Sequence, residues 1–509
     1  MAARAVAATP EVSRWLFLRL LGAIFLIAFL SLWVQINGLL GHDGILPVDQ
    51  LLQAARERLG PERYWDLPTL CWLNPSDACL HALCATGVLL SVLLVCDVAP
   101  ALVLFGLWAA YLSFVTVGRE FLSFQWDNLL LETGFLAIFL APLRVRPRGS
   151  GAGEAPPHPL ATWLLRLLLF KVMFSSGVVK LSSGDPTWRH LAALQSHYET
   201  QPLPTWLGWY AHQLPAWMQH VSCGIMFGIE LVGPFLIFGP RLMRRVACAG
   251  LIAFQLLIAA TGNYCFFNLL TIALCLLLLD DAAWPRWMQT RLASGTGAGV
   301  SSRRWPWWIL GPLAAPVLLL TSVELVSIWR QPIRWPAPVL RVSQFAQPLR
   351  TVNSYGLFAV MTTTRPEIIL EGSRDGTTWL PYEFTYKPGD LSRRPEFVAP
   401  HQPRLDWQMW FAALSRYQDE PWFLLFCQRV LQGSKPVLAL LSKNPFPDGP
   451  PRYLRAIVYE YHFTDLATQR ARGTWWRRSR KGLYCPMLTL APDGLLSRAM
   501  QSPRDIILQ

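Results

Sequence analysis

The sequence predicts a mostly α-helical multi-pass membrane bundle of about nine spans, or fewer, followed by a C-terminal soluble domain of α+β or β-sandwich-like type. Three observations predict it. Apolar runs of close to 20 residues, enough to cross the hydrocarbon core as helix, recur as far as Trp329 and then stop. Hydrophobic residues make up 53% of the chain and charged ones only 15%, with a mean hydropathy of +0.30, a balance that excludes an ordinary soluble protein. The 24 Trp are several times the usual share, and Trp favours the membrane–water boundary.

The first 14 residues read as a cytosolic N-terminus. The run Trp15–Gln35 is too long for a signal-peptide core and lacks a clear small-residue cleavage site, so it reads as a signal anchor that stays in the protein. Further runs lie near 79–97, 99–117, 126–143, 161–180, 218–238, 245–261, 264–280 and 306–328. They define a bundle over 15–335 with outer loops at 37–78 and 181–216. Two Gly/Ser/Pro-rich stretches, 149–159 and 294–302, read as cytosolic linkers.

Lys and Arg collect on the cytosolic side of membrane proteins. With Arg4, Arg14 and Arg19 in the cytosol, the fourth run delivers Arg144, Arg146 and Arg148 to the same side. The sixth delivers Arg241, Arg244 and Arg245, and the eighth Arg286, Arg291, Arg303 and Arg304. The 181–216 loop carries only Arg189, and 37–78 balances its arginines with six acids. An odd number of spans then puts residues 336–509 outside the cytosol. The net charge of +13 fits this loop bias plus a basic distal domain. No nucleic-acid module is present, so no nucleic-acid partner is expected, and membrane lipid is. The ten Cys form no CxxC and no even framework, which supports neither a zinc site nor a disulfide scaffold.

In the distal part, Glu367–Leu370 and Thr377–Tyr386 read as strands joined by the turn Ser373-Arg-Asp-Gly376. Leu405–Arg416 and Trp422–Leu431 read as helices, and Arg455–Phe463 alternates as a strand. The region is basic and aromatic. Exposed Trp and Arg favour protein interfaces, which makes Arg404, Trp407, Trp410, Trp475 and Trp476 candidates for binding a protein partner; burial in the domain core is the other reading of these aromatics.

Ionisable groups inside spans are costly and mark sites or structural pairs. Glu132, Arg166, Lys171, Lys180, Glu230 and Glu324 fall there, and Lys171 with Glu230 is one pairing the sequence allows. The outer loop His197-Tyr198-Glu199-Thr-Gln-Pro202-Leu-Pro-Thr, followed by Trp209, Tyr210 and His212, concentrates His, a carboxylate and aromatics. It suits acid–base work or a rigid, proline-locked loop. Its spacing makes no metal site, and no cofactor fingerprint occurs.

The loop HYETQPLPT with Trp209, Tyr210 and His212 resembles the hallmark of the lipase maturation factor family. Ile229-Glu-Leu, Thr261-Gly-Asn263, Asn268-Leu-Leu-Thr271, Lys387-Pro-Gly-Asp390, Arg404-Leu-Asp-Trp407 and Asn444-Pro-Phe446 continue the likeness in order, over nearly the whole chain. The resemblance implies an endoplasmic-reticulum membrane protein whose lumenal C-terminal domain, 336–509, helps secreted lipases of the lipoprotein lipase type to fold. No Asn-x-Ser/Thr sequon and no retrieval signal at Leu508-Gln509 occurs, which leaves open a bacterial inner-membrane homologue. Gly177-Val-Val-Lys180-Leu ahead of Trp188 is similar to a stretch of vitamin K-dependent gamma-carboxylases. That likeness implies an alternative, a membrane enzyme with Lys180 as base and Glu230 or His197 nearby.

Overall fold

A backbone in lipid must satisfy its polar groups within its own segment, which favours helix for every apolar run. All nine runs are helical in the computed structural model, which describes residues 11–145, 156–293, 305–329 and 333–498. They are α1 (Glu11–Trp33), α2 (Asp77–Val95), α3 (Pro100–Gly118), α4 (Gln125–Leu140), α5 (Pro159–Ser182), α6 (Ala216–Phe227), α7 (Arg241–Thr261), α8 (Phe267–Leu276) and α9 (Trp307–Ser327). Of the charged residues used to orient the bundle, Arg4, Arg146, Arg148, Arg303 and Arg304 lie outside the described residues. So do the 294–302 linker, the 149–159 linker up to residue 155, and Leu508-Gln509.

Among the described residues, six helices are long and apolar enough to cross a membrane: α1, α2, α3, α6 with its continuation to Phe238, α7 and α9. The expected nine narrows to these six on length and composition. The other three fall short for two reasons. α4 has 16 residues and α8 has 10, about 24 and 15 Å at 1.5 Å per residue against a core of about 30 Å. α5 is long but carries Arg166, Lys171 and Lys180. These three are also largely buried, so they face protein, where polar groups are tolerated.

Contacts sort the helix ends into two groups. At one end Asp97 pairs with Arg19 at 2.8 Å and Arg144 at 2.5 Å. There too Asp280 gathers Arg241 at 3.1 Å and Arg245 at 3.0 Å, and Arg166 donates to the Leu277 carbonyl. Trp305 donates to Ile138. The opposite end holds the loops 37–78 and 181–216. Successive helices run alternately between the two ends.

After α9 comes a short amphipathic helix, α10 (Ala337–Ala346), whose Phe345 stacks on Trp65 of the first loop. The distal sheet has five antiparallel strands in the order β2-β1-β5-β6-β7: β1 (Pro366–Ser373), β2 (Leu380–Pro381), β5 (Tyr453–Phe463), β6 (Trp476–Leu490) and β7 (Leu496–Arg498). β3 (Glu383–Phe384) and β4 (Leu441–Lys443) form a second, two-stranded sheet. Helices α11 (Arg404–Ala413) and α12 (Pro421–Leu431) pack on the large sheet. The architecture is α+β, not a sandwich. The expected turn is present: Asp375 accepts from the amides of Thr377 and Thr378, and Gly376 takes φ +79°, open to glycine at no steric cost. The expected strand 377–386 is split instead. Leu380–Pro381 pairs with β1, whereas Glu383–Phe384 crosses to β4.

Candidate functional site

The sequence-marked residues converge on the seam between the loop-bearing end of the bundle and the distal domain. The segment 197–205, expected as a loop throughout, begins as the last turn of a short helix, Leu194–Thr200, and becomes a loop only from Gln201. It packs on the end of α7, where Thr205 Oγ1 donates to the Ala260 carbonyl (2.7 Å) and Gln201 Nε2 to Thr261 (2.7 Å). The approach is close: a Cβ on Gly208 would lie 2.4 Å from the Thr261 carbonyl oxygen. With its own carbonyls turned outward, the loop becomes an acceptor surface. Arg365, fully buried just before β1, fills it by donating to the carbonyls of Glu199 (2.6 Å), Gln201 and Pro202 (2.9 Å), while pairing with Glu367 at 2.8 Å. Lys387 completes the group at 3.0 Å from Glu367.

Glu199, buried itself, reaches into the sheet. Its carboxylate accepts from Phe463 N (2.6 Å) and meets His462 Nδ1 at 2.9 Å, and His212 Nε2 stands 3.8 Å away. Burial holds the His212 imidazole below its ordinary pKa. His197 faces the other way, with Nε2 3.3 Å from Tyr264 Oη and its ring edge-on to Phe358. Burial, with help from the Lys180 charge, lowers its pKa to about 4, so it is neutral near pH 7. Tyr264 donates to Gln201 Oε1 (2.8 Å). Its oxygen therefore accepts from His197, which puts the imidazole proton on Nε2.

Three further stitches cross the seam. Asn263, between α7 and α8, accepts from the amides of Val398 (2.7 Å) and Ala399 (2.9 Å) and donates to the carbonyls of Leu203 (3.1 Å) and Glu396 (2.8 Å). Arg404 leaves α11 to pair with Asp127 of α4 at 2.9 and 3.0 Å and to donate to Phe121 O at 2.6 Å; both side chains are fully buried. Glu132 accepts from Lys171 (2.5 Å), from the Asn353 amide (2.9 Å) and from Tyr355 Oη (2.8 Å).

The pairing of Lys171 with Glu230 is corrected. Lys171 meets Glu132, and Glu230 takes Lys180 with both carboxylate oxygens, at 2.9 and 2.8 Å. The two lysines are nine residues apart on α5, half a revolution at 100° per residue, so one carboxylate cannot serve both. Glu230 sits on a π-turn, Gly228–Val232. Gly177 admits it: a Cβ there would stand 3.0 Å from Glu230 Cβ. The third acceptor of Lys180 is the Ser176 carbonyl, at 3.0 Å. All three of its N–H bonds are used.

The five aromatic and arginine candidates divide. Arg404, Trp407, Trp410 and Trp476 are buried, and Trp475 is half-buried against Trp209. Trp407 and Trp410 line a cleft of about 570 Å³ with Trp126, Tyr264, Phe358 and Phe411. Tyr198 is half-buried, Pro202 is buried and also borders the cleft, and Tyr210 is exposed. Among the described residues no group of His, Cys, Asp and Glu is arranged to hold a metal ion.

Sequence reasoning missed Asp127, Arg365, Glu367 and Asn353. Buried charge was the available signal for Asp127, which lies two residues into α4. Residues 12–286 match the lipase maturation factor transmembrane domain, and residues 351–486 the lipase maturation factor C-terminal domain. The chain is 38% identical to lipase maturation factor 2 of Gallus gallus, over 96% of this chain and 83% of that protein. It is 38% identical to lipase maturation factor 2 of Homo sapiens, over 96% and 84%. With lipase maturation factor 1 of Bos taurus it shares 35% identity, over 96% and 91%. No solved structure matches the chain.

Proposed function

The chain belongs to the lipase maturation factor family, and we propose that it is a membrane-anchored folding and assembly factor for secreted lipases, acting through its non-cytosolic C-terminal domain. One observation carries the reading: the distal domain is stitched to the loop-bearing end of the bundle, opposite the end where Asp97 and Asp280 gather five arginines. By the positive-inside rule the arginine end is cytosolic, so the domain meets the compartment through which secreted enzymes pass. In this reading all nine helices traverse, with short α4 and α8 shielded by their neighbours. The membrane is that of the endoplasmic reticulum, with a lipoprotein lipase type of client, or the inner membrane in a bacterium.

The aromatic cleft is the part suited to a folding client. It offers the exposed Phe411 ring, backed by the buried Trp407 and Trp410, to an apolar segment that is exposed only before the lipase has folded. Arg404, bonded to α4, fixes α11 and so the cleft wall in place. The assembly reading is also favoured by Lys180. A general base needs a free lone pair, and a Lys180 nitrogen that donates to the Ser176 carbonyl and to both Glu230 oxygens is an ammonium with none.

Co-expression of a candidate lipase with and without the protein, scored by secreted activity per unit of antigen, tests the function. The expected result is a several-fold rise. A protease-protection assay on a C-terminal tag tests the topology, and a tag digested from the cytosolic side would overturn it.

A further inference from the structure

We propose that the outer edge of β6 is a docking edge that adds an extended, acidic segment of the client polypeptide to the sheet. The inference rests on the assembly-factor reading and names how one part of the client is held. β6 is flanked by β5 on one side, but on the other β7 covers only Leu488–Leu490. Among the described residues, no strand pairs with that outer edge from Arg477 to Pro486. Side chains from Arg477 to Lys481 are exposed on both faces of the strand, so the segment projects past the core. An open edge presents unpaired N–H and C=O groups that an extended chain satisfies in register.

Charge selects the occupant. Arg477, Arg478, Arg480 and Lys481 crowd a five-residue stretch whose only other member is Ser479. Arg478 is held by Tyr461 Oη at 2.9 Å and lies over the Tyr459 ring, and Lys481 stands 3.9 Å from Glu460. Arg477 and Arg480 make no ion pair with a carboxylate among the described residues. Like charges oppose pairing with a second copy of the same edge, whereas acidic residues alternating along an incoming strand would meet these side chains. A lipid surface would match the charge but leave the edge amides and carbonyls to water. The edge is also firmly held, because His462 and Phe463, opposite Arg477 and Trp476, are bonded to Glu199.

The test titrates the purified full-length protein in detergent with a fluorescent peptide of alternating Glu and Val. A second peptide carries the same side chains with alternate backbone amides methylated. Binding that weakens about tenfold or more on methylation, and again in the variant Arg477→Glu with Arg480→Glu, is the expected result. Equal binding of the two peptides, or full displacement by soluble short-chain phosphatidylserine, would mean charge recognition alone and would overturn the inference. So would unchanged binding by the double variant. Lipase co-expression is read separately. Methylation-sensitive binding with no lipase activation would sink the assembly reading and leave the edge standing, and the reverse would sink only the edge.

Discussion

Arg404 and Arg477 belong to the same domain and show what surroundings do to one residue type. At the seam, Arg404 is fully buried and every contact is internal: Asp127, the Phe121 carbonyl and the neighbouring Tyr111 hydroxyl. On the β6 edge, Arg477 is exposed and makes no ion pair among the described residues. The seam thus spends charge on fixing one domain against the other. The edge leaves its charge facing solvent. A domain that holds a flexible client, as proposed, would need both, since a docking edge that drifted relative to the membrane could not position its occupant.

The comparison breaks most visibly at Arg404. Arg404→Ala leaves the Asp127 carboxylate buried without its partner, which costs about 3–5 kcal/mol. Thermal melting in detergent should show a large loss, or the protein should fail to accumulate. Combining Arg404→Met with Asp127→Asn should recover much of it, because the orphaned charge is gone. A double variant as unstable as Arg404→Ala would mean that the pair itself, not the stranded carboxylate, supports the seam.

Acid attacks the same seam through His197. Its pKa is lowered from 6.5 to about 4 in the fold, so between those values the unfolded chain binds more protons than the folded one. Stability is therefore full above about pH 6.5 and falls as pH drops toward 4, by at most about 3 kcal/mol at 1.36 kcal/mol per pH unit. The slope of melting temperature against pH over that window should flatten in His197→Phe. An unchanged slope would assign the acid sensitivity elsewhere.

Asn263→Ala tests the seam without a charge. It removes four hydrogen bonds and leaves the amides of Val398 and Ala399 without their acceptor, for a cost of about 2 kcal/mol. Hydrogen exchange should quicken at those two amides, while the pairing of β1 with β5 stays protected. Uniform quickening would show that the seam and the sheet unfold together.

The periodic and apolar features were legible from the sequence; the pairings were not. Each apolar run gave a helix, and Leu405–Arg416, Trp422–Leu431 and Arg455–Phe463 fell within one to three residues of α11, α12 and β5. Runs of one composition carry their own structure. Asp127 and Arg404 lie 277 positions apart, and nothing local in either announces the other. The loop 197–205 stood out as a cluster of rare residues, but its carbonyls, invisible in side-chain chemistry, are what Arg365 recognises. β6 escaped notice because Arg477–Lys481 has no apolar face and so no period of two. The same feature that hid the strand is what leaves its edge available.

The smallest effect on stability is expected at that edge, and it separates the two uses of arginine most cleanly. Arg477→Glu with Arg480→Glu removes no buried contact, so the melting temperature should correspond to a change within about 0.5 kcal/mol of wild type. Lipase activation in cells should nevertheless fall, at unchanged protein level. Arg404→Ala lowers activation only by lowering the amount of folded protein, so activity per folded molecule separates the two mechanisms. If the edge variant melted early, β6 would belong to the framework, and its exposed arginines would be holding the sheet rather than waiting for a partner.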